Sequence, residues 1–268
     1  MSITATPIPL SVFIIANNEE DRIARAVRSV KGWAAEIVVV VNLDCEDGTS
    51  EIARQAGANR VVKHQWEGYG RQKIYAQNLC DNRWVMNLDA DEEVTPELRA
   101  EISALFANGA QPSHPAYRVD AVQVFPGQKE PHLFSPHLYV VRLYDTEAAS
   151  FRDSPVHDSV ILHDTGKVPH DAPTLRAPLL HYSFRNLTHM VEKMNYYSSM
   201  QAADMLARGK TVSDVRLISE PFISFFKYYF LRRYFTMGAM GVVYATIYAC
   251  WRTLRLAKLR ESQKANRA

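Results

Sequence analysis

Asp89 and Asp91 stand two residues apart, directly after the apolar run Trp84-Val85-Met86, and Glu92 and Glu93 follow at once. Two carboxylates leaving a strand, with only Ala90 between them, can face one hard cation. Mg²⁺ and Mn²⁺ favour carboxylates, water and phosphate oxygens, and such a cation would offset the repulsion among the acids. The plainer reading is a solvated acidic turn, with Glu92 and Glu93 supporting the helix that starts near Thr95. A second polar cluster, Asn42, Asp44 and Asp47, follows "EIVVVV". A polar side chain at such a strand end can read a base or ribose, whereas Asp47-Gly48-Thr49 reads as turn and capping chemistry. A third cluster, Asn17 to Glu20, follows "SVFIIA". Three His-Asp pairs, His157-Asp158, His163-Asp164 and His170-Asp171, have residue types that can hold zinc or a di-metal hydrolase centre. Their spacing does not stack them on one helix face, and "HDTGKVPHD" reads as a loop. Arg142, Arg152, Arg176 and Arg185 suit phosphate groups or local ion pairs.

The elements that must position these residues alternate. "SVFIIA", "EIVVVVN", "RVVKH" and "RWVMNLD" read as buried strands. Between them, "NEEDRIARAVRSVKGW", "DGTSEIARQAGA" and "GRQKIYAQNLC" read as helices, the first with acids in its opening turn, the second capped by Thr49 or Ser50 and ended by Gly57. This alternation predicts an α/β fold with a mostly parallel central sheet, flanked by helices on both faces. Ligands of such sheets sit beyond the carboxyl ends of the strands, so the three clusters should converge there. "TPELRAEISALFANG" predicts a capped helix with Pro96 in its first turn. Looser strands and loops follow to His181, and "NLTHMVEKMNYYSSMQAADMLARG" is a long helix ending at Gly209.

The 268 residues carry a formal charge of only +2, unevenly spread. From Ile218 onward, nine lysines and arginines face Glu220 and Glu261, giving +7 there and −5 elsewhere. Tyr234 to Trp251 contains no charge and is flanked by arginines. It is marginal in length for a bilayer span. A basic-flanked helix lying in or shallowly inserted into an anionic membrane surface is the expectation, against a buried helix pair that packs on the domain or makes a dimer. No nucleic-acid motif accompanies the charge. Three scattered cysteines and the lack of a signal-like N-terminus fit a reducing cytosol.

"SVFIIANNEEDRIARAVRSV", "VVVVNLDCEDGTSEIA", "GYGRQKIYAQN" and "WVMNLDADEEV", in this order, resemble glycosyltransferase family 2, inverting enzymes of the GT-A fold. "RLYD", "VHDSV" and "HYSFRNLTHMVEKMNYYS" extend the resemblance to lipopolysaccharide-core glucosyltransferases of the WaaE/KdtX type. The resemblance implies that Ala16, Asn18 and Glu19 line a uridine site. It implies that Asp89 touches ribose or metal, with Ala90 beside it, and that Asp91 holds Mg²⁺ or Mn²⁺ on the diphosphate. Gln72 and Lys73 would lie near nucleotide or sugar. Asp158 would be the general base, with His157 orienting acceptor or pyrophosphate, or purely structural; Arg142 is a lesser phosphate contact by its residue type alone. Three departures stand out: Asn42 where the family has Asp, Ile74 where it often has Asn, and Asp158 where the subgroup has Glu. An amide oxygen at Asn42 can still accept from a uracil N–H. The implied reaction moves a hexose, glucose above all, from a UDP-sugar to a lipid-linked saccharide, the inner-core heptose, at the cytoplasmic face of the bacterial inner membrane. Polyprenyl phosphate is the alternative acceptor. A metal phosphohydrolase built on the His-Asp pairs, and a non-catalytic membrane-bound nucleotide-sugar binder, are the other classes considered. The expected division is a GT-A domain over 1–215, with a nucleotide-binding half (about 8–110) and an acceptor half (about 111–215), and a helical segment over 216–268.

Overall fold

The computed structural model describes residues 6–154 and 158–265. The expected alternation is present as β1 (Ile8–Ala16), α1 (Ile23–Val30), β2 (Ala34–Asn42), α2 (Thr49–Ala56), β3 (Arg60–His64), α3 (Tyr69–Asn78) and β4 (Trp84–Asn87). There follow β5 (Glu92–Val94), α4 (Pro96–Leu105), β6 (Ala116–Gln123), β7 (His137–Asp145), β8 (Ala149–Phe151), β9 (Val160–Leu162) and β10 (Thr174–His181). Eight strands form one sheet in the order β3-β2-β1-β4-β7-β6-β10-β5. The β3-β2-β1-β4 half is parallel. β7 then enters antiparallel between β4 and β6, and β5 pairs antiparallel with β10 at the edge, so the sheet is mixed.

Strand periodicity sorts the apolar residues onto two faces. Leu10, Val12 and Ile14 of β1, with Ile37, Val39 and Val41 of β2, share a core with residues of α1, α2 and α4. Phe13, Val38 and Val40 turn the other way, onto Ala76 of α3 and the small β8–β9 ribbon. Unbroken Val/Ile runs therefore mark a sheet covered on both faces.

Two local expectations are corrected. α1 has no acid in its first turn; Glu19 to Asp21 lie in the preceding turn, where Glu19 holds Arg22. Gly48, not Thr49 or Ser50, is the N-cap of α2. Thr49 is buried and its hydroxyl accepts from the Glu19 N–H at 2.8 Å. The α2 stop at Gly57 (φ 115°) and the Thr95 cap with Pro96 of α4 are as expected.

The chain divides into two compact units, one of residues 1–124 and 136–182, the other of 125–135 and 183–268. The division falls at 182/183 and not at 215, because α5 (Leu187–Ala207) packs with α7 (Ala239–Ala265) and so belongs with the tail. The second unit is completed by α6 (Asp214–Phe226), a π-turn over Lys227–Leu231 and a short 3₁₀ turn over Tyr234–Met237. Its core is aromatic, with Phe125, Tyr234, Tyr244 and Tyr248 buried together. Among the described residues no helix is long and apolar enough to cross a membrane.

Candidate active site

The parallel register sets Ala16 beside Val41 and Phe13 beside Asn87. β1, β2 and β4 therefore end on the same edge of the sheet. Asn18 adopts a left-handed conformation (φ 54°), one that Asn tolerates better than most side chains. Its Oδ1 accepts from the Glu46 N–H at 3.0 Å. Glu20 accepts from the Gly48 N–H at 2.9 Å, and Asp47 from the Glu20 N–H at 3.1 Å. The second and third clusters are thus stitched into one wall.

Asp89 and Asp91 are held by the protein's own cations. Lys73, 1% exposed, places Nζ 3.1 Å from Asp89 Oδ1 and 2.8 Å from Asp158 Oδ2. Arg142, also buried, donates to Asn87 Oδ1, Asp89 Oδ2 and Glu92 Oε1. The antiparallel β4–β7 register, with Met86 opposite Leu143, brings Arg142 to Asn87. Arg22 donates twice to Glu19 at 2.7 Å and once to the Tyr182 carbonyl, and its guanidinium lies 3.5 Å from Asp91. His181 Nε2 is also 3.5 Å from Asp91 Oδ2. It arrives there because β10 pairs with β5, His181 opposite Glu92.

Burial alone would raise the Asp89 pKa, but Arg142 and then Lys73 reverse this and hold the carboxyl far below the ordinary range. Glu92 goes the other way: burial raises it beyond what Arg142 recovers, and the Asp89 charge adds to the rise. Burial works against the His181 imidazolium, yet the Asp91 hydrogen bond and charge, with Glu92 and Asp89 behind, raise its pKa. The acidic crowd is therefore a neutralised network, with Glu92 inside it rather than a mere support of the turn.

The remaining candidates fall as follows. Ala16 and Ala90 are buried at their strand and turn positions. Asn42 is buried, and its Oδ1 accepts from Gln72 Nε2 at 3.2 Å, while Gln72 Oε1 meets His64 Nδ1 at 2.8 Å. Asp158 is about half exposed (48%) apart from its bond to Lys73. His157 lies outside the described residues. Among the described residues, which leave out His157, the His-Asp pairs build no metal centre. His163 is exposed and contacts the Glu147 carbonyl, and among the described residues no group of three or more His, Cys, Asp or Glu side chains is arranged to hold a metal. Asp91 is a carboxylate of the kind that suits a divalent ion taking few protein ligands and filling its shell with phosphate oxygens and water. Both Asp89 oxygens are engaged with Arg142 and Lys73, so that carboxylate is the poorer ligand.

Arg22, Asn87 and His181 are not singled out by the sequence, and Glu92 only as a support for the next helix. His181 had a usable signal: like Asn42, it is a polar residue ending an apolar strand. Arg22 had none, since nothing local separates it from Arg25 or Arg28.

A parallel half that gathers three polar strand ends, joined to antiparallel strands that bring Arg142 and His181 to them, is the GT-A architecture of nucleotide-sugar transferases. The sequence model of Glycosyl transferase family 2 matches residues 11–160, and the chain belongs to that family. It is a glycosyltransferase. An uncharacterised glycosyltransferase of Rickettsia felis is 42% identical over 94% of this chain and 90% of its own length. The lipopolysaccharide core biosynthesis glycosyltransferase LpsC of Rhizobium meliloti is 28% identical over 94% of this chain and 92% of its own. Among solved structures, residues 1–349 of TarS from S. aureus with UDP-GlcNAc cover 96% of this chain and 92% of theirs, at 14% identity and a TM-score of 0.47.

Proposed function

We propose that the protein transfers a hexose, glucose above all, with inversion from a UDP-sugar to a lipid-linked saccharide of the cell envelope, the inner-core heptose of lipopolysaccharide being the acceptor that fits best. The observation that carries this reading is Lys73, whose single ammonium joins Asp89, on the donor side, to Asp158, on the acceptor side. A link of this kind suits two half-sites that must act on one anomeric carbon. The LpsC similarity supports the choice of acceptor class.

Asn18, Glu19, Asn42 and Gln72 form the wall against which uridine would stack and hydrogen-bond. Asp91, with His181 beside it, would hold Mg²⁺ or Mn²⁺ on the diphosphate, with Asp89 nearby. When bound, that ion supplies charge stabilisation to the departing diphosphate. Asp158 takes the proton of the acceptor hydroxyl as its oxygen bonds to the anomeric carbon. The bond from that carbon to the diphosphate oxygen breaks, and its electron pair leaves with UDP. Lys73 keeps Asp158 in place for this attack. Asp158 is one methylene shorter than Glu, so the acceptor must come closer to the backbone here.

Asp91→Ala should abolish metal-dependent transfer from UDP-sugar, measured as UDP release with an acceptor present. Full activity in this variant would sink the mechanism. An acceptor panel of lipopolysaccharide precursors and polyprenyl phosphate separates the two envelope acceptors. Calorimetry with UDP and Mn²⁺ separates catalysis from a degenerate, non-binding site.

A further inference from the structure

Helix α6 packs on its unit through Leu217 and Phe225 and leaves a second apolar stripe in solvent. The residues it buries are Glu220 and Ser224, while Val215, Ile218, Phe222, Ile223 and Phe226 are exposed, Phe222 by 73%. A surface helix in water normally turns its apolar stripe to the core. Here positions 215, 218, 222 and 226 form such a stripe by spacing, and it faces outward. The outward stripe is specified rather than accidental, because the buried Glu220 and Ser224 behind it have partners. Arg252 Nε donates to Glu220 at 2.7 Å and Ser224 Oγ donates to it at 3.0 Å.

The apolar surface continues past the helix. Phe226 touches Phe230 ring to ring (centroids 5.0 Å apart), Phe230 touches Tyr229, and Tyr229 touches Phe235. Phe230, Leu231 and Phe235 are exposed. A patch this long on a water-soluble surface marks an interaction site. Its charges say with what. Arg216, Lys227, Arg232 and Arg233 are exposed in the same stretch, Arg216 lying 3.8 Å from Glu220. Its two acids, Asp214 and Glu220, are each paired with an arginine of α7, Arg260 and Arg252. A two-fold dimer through this face would set like patch on like and oppose the cations of one copy to those of the other. Anionic lipid headgroups would neutralise them.

We propose that the face running from Val215 to Phe235 docks the protein on an anionic bilayer. Phe222, Phe226 and Phe230 enter the headgroup–acyl boundary, and the basic side chains meet lipid phosphates. This rests on the lipid-linked acceptor of the proposed function and deepens it. It also moves the contact away from most of the charge-free run of Tyr234 to Trp251, in which Tyr234, Tyr244, Ala245, Tyr248 and Ala249 are buried, keeping Phe235 at its start.

Sedimentation with phosphatidylcholine vesicles, with and without phosphatidylglycerol, tests it. The wild type should bind only the phosphatidylglycerol vesicles. Phe222→Ser should weaken binding by about tenfold, as expected for one partly inserted Phe, and the double variant Phe222→Ser/Phe226→Ser further. Lys227→Gln/Arg232→Gln should reduce the preference for phosphatidylglycerol. Leu138→Ser, at an exposed apolar residue of β7, should bind as the wild type does. UDP binding by calorimetry should be the same in all of these, so a failure of docking is distinct from a failure of the donor site, and circular dichroism checks folding. Wild-type protein that ignores phosphatidylglycerol vesicles, or a double variant that binds them normally, overturns the proposal. So does a dimer, seen by light scattering, that Phe222→Ser dissolves.

Discussion

Arg142 is the residue on which the acidic network depends. It is buried and serves Asn87, Asp89 and Glu92 at once. Removing one member of a buried ionic cluster strands the rest without compensation. Arg142→Ala should therefore cost about 3–5 kcal/mol of unfolding free energy, read from urea denaturation. Glu92→Gln should cost less, because burial already raises the Glu92 pKa and the amide oxygen can still accept from Arg142. Cysteine behaviour is a second residue-scale expectation. Burial pushes the Cys80 thiol from 9.0 to about 12, whereas Cys250 is exposed. A maleimide or disulfide reagent at pH 8 should label Cys250 and spare Cys80 until the protein is unfolded. Because the folded pKa is raised, the stabilising contribution of the Cys80 thiol is complete below pH 9.0 and is lost as pH rises toward about 12.

At the scale of elements, α3 carries the lysine that would join the two half-sites of the proposed reaction. Lys73 and Gln72 lie on its buried side, and Gly70 lies at its start. The Gly70 N–H donates to the Ser154 carbonyl at 3.1 Å. A Cβ at Gly70 would sit 2.3 Å from the Arg152 carbonyl and 2.6 Å from that of Ser154, both backbone atoms that cannot swing aside. Gly70→Ala should push this segment, and with it Asp158, off the helix. We expect transfer to fall by about 10²-fold, the scale of a 1 Å misplacement in an oriented reaction, with UDP binding by calorimetry retained. The parallel strands and their helices were legible from sequence because each strand is an unbroken apolar run bounded by polar turns and each helix carries its own period; Val38 and Val40 face one core and Val39 the other. The edge pairing of β10 with β5 was not legible. β5 is three residues long and lacks a pattern, yet it delivers His181 to Asp91.

Across the whole molecule, charge is segregated, with +7 from Ile218 onward against −5 elsewhere. If that charge serves docking, vesicle binding must be salt-dependent. Raising NaCl from 0.1 to 1 M shortens the screening length from about 10 to about 3 Å. Binding to phosphatidylglycerol vesicles should then fall severalfold while UDP affinity changes little. A salt-independent association would mean that the apolar face acts alone. The sequence by itself determined the alternating elements, the strand ends where polar residues cluster, the family to which the chain belongs and the basic tail, because all of these are written in local period and composition. Only the tertiary structure decided that Lys73 joins Asp89 to Asp158, that Arg142 and not an ion alone neutralises the acids, and that α6 turns Phe222 and Phe226 outward. Each of these depends on a partner 30 or more residues away, such as Arg252 under Glu220, and no local pattern records which of many equivalent arginines or lysines will arrive.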